Sequence, residues 1–157
     1  MYNNAELHSM IDANINLQQD KVKLLGDRRL REAQAKGVVE KKIMAFGKVE
    51  ERMTALAGNL SIGIASREDY KEDVALRDFD DEEAVDSWGQ AVMDTYLRKD
   101  IQFMEIYGEY YDAQEAVSDA RLELHILGAE VLSLAEELGS LKNRGLMLVA
   151  YVEAVLP

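Results

Sequence analysis

The sequence predicts an all-α protein: an elongated helical hairpin or bundle of long, coiled-coil-like helices with a short apolar C-terminal segment. Three observations carry this expectation. The only proline is the last residue, Pro157, so nothing forces a helix to stop earlier. Apolar residues make up 48% of the 157 and charged residues 31%, a composition that suits one folded domain over residues 1–157. Steps of four and three from Val92 meet an apolar side chain at fourteen of fifteen positions, Lys99 being the exception.

The first long helix is expected over about residues 3–60. Asn3 followed by Glu6 forms a capping box, with asparagine in the usual serine or threonine position. Ile11, Ile15, Val22 and Leu25 then share a face, and the stripe lapses across Arg28–Lys36. It resumes with Val39, Ile43, Phe46, Val49, Met53, Leu56 and Leu60. Gly26, Gly37, Gly47 and Gly58 punctuate it at near-regular steps, which leaves two readings open, a close helix–helix approach or a kink near Gly26 or Gly37.

Residues 61–65 read as a connection. Ser66 with Asp69 caps a short helix over 66–77, which turns Tyr70 and Val74 inward. Asp80 with Glu83, in a crowd of carboxylates suited to the positive end of a helix dipole, starts the heptad helix of 81–140. Its seam includes Phe103, Ile106, Tyr110, Val117, Leu124, Leu127, Val131, Leu134 and Leu138. Met104, Tyr107, Tyr111, Leu122, Ile126, Ala129 and Leu132 widen the apolar face, so three or more helices are expected to meet between Phe103 and Leu134. Gly139–Gly145 reads as a break. The tail of 146–156 is almost wholly apolar and equally compatible with a helix or a strand; Leu146, Leu148, Val149, Tyr151, Val152 and Leu156 make it either core or a docking peptide.

Several functions are argued against. There are no cysteines, which excludes disulfides and thiolate chemistry. His8 and His125 have no metal-ligand spacing; Glu123 stands two residues before His125 instead of three, and no metal or cofactor is expected. Gly58 and Gly63 have the spacing of a phosphate-binding loop, but Ile64 and Ala65 stand where lysine and serine or threonine belong. The Asp78–Glu83 run lacks the glycine and spaced ligands of an EF-hand. Pairs such as Glu105 with Glu109 suit a solvated flank, and aromatic residues at helical spacing suit core. No nucleophile–base pair appears, so no catalytic residue is named and the chain is not expected to be an enzyme.

Net charge is −12. Residues 1–60 carry 10 basic and 8 acidic side chains, and residues 66–119 carry 5 and 17. This pattern argues against direct nucleic-acid binding, which needs a basic face. The start of the chain has no basic stretch leading into an apolar core, so no classical secretory signal is expected, and no apolar run reaches the roughly 20 residues of a membrane span. The expected location is the cytoplasm or the interior of a macromolecular particle.

The expected function is therefore structural. The protein would assemble through helix–helix contacts with other protein chains, as a homo-oligomer or as a subunit of a larger particle such as a virion, a tail or a secretion apparatus. The alternative is an acidic inhibitor or adaptor, whose strip of Asp78, Asp80, Asp81, Glu82, Glu83 and Asp86 would block a basic or nucleic-acid-binding surface of a target.

Overall fold

The computed structural model describes residues 2–75 and 82–155. Among these there are four helices and no strand: α1 (Asn4–Ala65), α2 (Glu68–Ala75), α3 (Glu82–Leu97) and α4 (Ile101–Val155). The fold is an all-α helical hairpin and bundle in which the two long helices pack together. It divides into a terminal unit, residues 1–39 with 120–157, and a medial unit, residues 40–119; α1 and α4 contribute to both.

The capping box forms as expected. The Asn3 amide donates to the Glu6 carboxylate at 2.8 Å, and the Glu6 amide donates to Asn3 Oδ1 at 2.8 Å. From there α1 runs through residues 61–65, which are helical and not a connection. Ser66 does not cap α2. Its hydroxyl donates back to the Gly63 carbonyl at 2.7 Å, and α2 begins after Arg67, whose carbonyl accepts from the Lys71 amide at 3.1 Å. Arg67 also grips Asp69, Nε to Oδ1 at 3.1 Å and Nη2 to Oδ2 at 2.7 Å. The Asp80 cap expected for the next helix lies outside the described residues.

The 81–140 helix is two helices. Leu97 ends α3, where the Lys99 and Asp100 amides bond three residues back, to Tyr96 and Leu97. Asp100 then restarts the chain: its carboxylate accepts the Phe103 amide at 2.9 Å and its carbonyl accepts the Met104 amide. The break falls at Lys99, the one polar member of the seam. Freed from the seam, its ammonium sits 4.9 Å from the centre of the Tyr96 ring.

No break occurs at Gly139–Gly145; α4 continues to Val155, so the tail is helical over its described residues. The physical reason is that the heptad does not end at Leu141. Steps of four and three continue to Gly145, Leu148 and Val152, all half-buried. None of the glycines has positive φ.

In the medial unit all four helices meet. Ile64, Val92, Tyr96, Leu97 and Phe103 form its core, with Leu56, Tyr70, Val74 and Trp88 packed against it. Three or more helices thus converge around Phe103, but the outer residues towards Leu134 do not join them: Leu122, Ile126 and Leu132 are exposed.

Candidate interaction faces

The heptad positions of α1 set up the terminal unit. Burial recurs at Leu7, Ile11, Asn14, Gln18, Lys21, Leu25, Arg28, Glu32, Ala35 and Val39, again by fours and threes. Five of these ten are polar or charged. Ile15 and Val22, expected on the buried face, are exposed, as is Ile43 in the medial unit. The seam of α1 is therefore rotated from the one its apolar residues suggest, and its polar members need partners on α4.

They have them. Asn14, only 5% exposed, donates its amide to the Leu141 carbonyl at 3.1 Å, and Gln18 donates to Asn14 Oδ1 at 2.6 Å. A Cβ at Gly145 would stand 2.6 Å from Asn14 Oδ1, so only glycine lets this polar layer form. One turn on, Lys21 pairs with Glu137, and Arg28 Nε meets Glu130 at 3.1 Å. The residue pairs run in opposite chain directions, so α1 and α4 are antiparallel in this unit, with their register marked at three levels.

α4's seam is covered by its own chain. Phe103, Val117 and Leu138 are buried, and Ile106, Tyr110, Leu124, Leu127, Val131 and Leu134 are half-buried. In the medial unit Phe46 of α1 packs on Tyr110 with ring centres 5.0 Å apart, and Arg52 reaches Glu109 at 3.0 Å. Tyr107 and Tyr111 lie beside this pair with their hydroxyls 2.9 Å apart. Tyr96 hydrogen-bonds Asp73 of α2 and meets Tyr70 edge-on at 5.6 Å, which ties α2 to α3. The hydrogen bond to Asp73, with burial adding to it, holds the Tyr96 phenol protonated up to about 12. The Arg67 guanidinium holds the Asp69 carboxyl below its usual range.

Apolar surface remains on both flanks of the terminal pair. In heptad terms the seam is a and d; one flank holds positions e and b, the other g and c. An open groove on the first flank runs between Ile11 and Ile15 of α1 and Leu146 and Val149 of α4, with Asn14 and Gly145 in its floor. On the second flank a groove of about 670 Å³ is lined by Tyr2, Leu7, Met147, Leu148 and Tyr151, with Arg144 among its polar members. Of the expected tail residues, Leu148 and Val152 turn inward while Leu146, Val149 and Tyr151 are exposed; Leu156 lies outside the described residues.

Glu82, Glu83 and Asp86 are exposed on α3, whereas Asp78, Asp80 and Asp81 of the acidic strip lie outside the described residues. Both histidines are exposed. Among the described residues no group of three potential ligands could hold a metal ion, and no helix is long and apolar enough to cross a membrane. The polar layer and the rotated α1 seam are what sequence reasoning missed; the signal was present in the unbroken four-three spacing from Leu7 through Asn14 and Lys21 to Val39. In comparison with known proteins, the chain matches no family model, no curated protein and no solved structure.

Proposed function

We propose that this protein is a structural or assembly component that acts through helix–helix contacts with other protein chains, as a subunit of a larger particle. One observation carries the reading, the amount of surface left uncovered. The chain exposes 11376 Å², whereas folded monomers of its mass expose about 8,000 Å².

The surplus is rich in apolar groups. Among the described residues, 23 large apolar side chains are exposed while 12 apolar residues form the buried core. Water contact at such side chains costs about 25 cal/mol per Å², so covering them is a strong drive to associate. The test is the size of the native species. In gentle extracts of the source cells the protein should elute well above 17.7 kDa. A well-folded species of monomer size that joins no complex would remove the proposal.

A further inference from the structure

The two flanks of the terminal unit differ in charge as well as sharing apolar surface. On the e/b flank, Ile15, Val22, Leu132, Leu146 and Val149 are exposed, Leu132 and Leu146 by 67% and 69%. Arg29, Arg121 and Lys142 stand among them, exposed, with no ion-pair partner among the described residues. Its acids, Asp12 and Glu153, lie near the two chain ends.

The g/c flank is the reverse. Met10, Leu17, Leu24, Val38, Ile126 and Met147 are exposed there. Asp20 and Glu123 border them; both are exposed and lack an ion-pair partner among the described residues. The remaining acids of the α4 flank, Glu130 and Glu137, are engaged by Arg28 and Lys21, and Arg144 is the flank's free cation.

We propose that copies of this chain associate head to tail, the basic, apolar e/b flank of one α1–α4 pair seated on the acidic, apolar g/c flank of the next. The proposal rests on the assembly reading above and names its partner, a second copy. Charge decides the geometry. A two-fold contact would set Arg29, Arg121 and Lys142 against their own copies, or the free acids against theirs, and like charges brought together at an apolar contact are costly. Joining unlike flanks pairs the free cations with the free acids while the apolar side chains between them pack. It also leaves one flank of each kind open at either end, so the contact propagates as a ring or a filament.

The absence of cysteine from the chain makes the test direct. Single cysteines are placed on the e/b flank (Leu132→Cys or Val22→Cys) and on the g/c flank (Leu17→Cys or Ile126→Cys). The purified variants are mixed in pairs and joined by a short bismaleimide. Cross-linked dimers should form at least tenfold faster in mixtures of unlike flanks than in any variant alone. Faster linking between like flanks would overturn the head-to-tail arrangement. A purified protein that stays monomeric by light scattering at all concentrations would overturn self-association. If the native species is nonetheless large in extracts, the assembly reading stands with a different partner.

A charge-reversal series supplies the second readout. Arg29→Glu with Arg121→Glu should raise the association midpoint at least tenfold, and adding Asp20→Lys with Glu123→Lys should restore it. Circular dichroism confirms that each variant is folded. No loss on the first reversal would place the charges outside the contact, and loss without restoration would show that the g/c acids are not their partners; either sinks the proposal.

Discussion

Gly145→Ala isolates the polar layer that joins α1 to α4 in the terminal unit. In an open helical position the change stabilises by up to about 1 kcal/mol, because alanine is the better helix former. Gly139, an earlier glycine on the same helix, is such a position, with nothing within 4 Å of an added Cβ. At Gly145 the Cβ would lie 2.6 Å from Asn14 Oδ1 and 3.0 Å from Gln18 Nε2. Neither side chain can swing freely, since Asn14 is buried and bonded to the Leu141 carbonyl. Displacing it strands a buried amide, at about 1–3 kcal/mol. Gly145→Ala should therefore fall about 1–3 kcal/mol below Gly139→Ala in urea unfolding. In thermal unfolding each kcal/mol is about 2–4 °C for a chain of this size. The double variant Asn14→Ala with Gly145→Ala removes the nearest obstructing atom and frees the Gln18 amide to move aside, so the added methyl should then recover much of its helix-forming gain. If Gly145→Ala stabilised the wild-type background as much as Gly139→Ala does, the close approach would be wrong.

Three further outcomes are expected. Leu138→Asp puts a charge at a buried seam position and should cost about 3–5 kcal/mol, while Glu115→Gln on the exposed face should change the urea midpoint little; equal effects would refute the seam. Asp100→Ala removes the α4 cap and should cost about 1 kcal/mol, with amide exchange rising first at Phe103 and Met104. The Tyr96 phenol, raised to about 12 by Asp73 from an ordinary value of 10.0, should be among the last tyrosines to ionise in an ultraviolet titration. Its raised value means the stabilising bond is intact below pH 10 and is lost as pH climbs through 12. Tyr96→Phe should delete that late step, and a wild-type titration without one would contradict the Tyr96–Asp73 bond.

The acidic strip keeps a separate consequence. If Glu82, Glu83 and Asp86 bind a basic target, that complex should weaken steeply between low and moderate salt, because exposed charges are screened over about 10 Å at 0.1 M. An assembly held chiefly by apolar side chains should lose little over the same range.

The residues alone determine the all-α class and the heptad stripe of α4. Proline is missing from every position before 157, and apolar side chains recur by fours and threes without a competing pattern. Local chemistry also suffices for the Asn3–Glu6 cap, whose partners are three residues apart. The placement of α1 was decided only by tertiary structure. Its apolar residues Ile15 and Val22 point to one face, but the buried face carries Asn14, Gln18, Lys21 and Arg28, because each finds a carbonyl or carboxylate on α4. A hydrophobic pattern cannot register a polar residue satisfied by a partner more than a hundred positions away. The same holds for the two interruptions: Asp100 stops one helix and starts another in the middle of a regular heptad, while Gly139 and Gly145 stop nothing. Glycine weakens a helix only by its local propensity, and at Gly145 that cost is offset by the approach of Asn14 that a side chain would prevent.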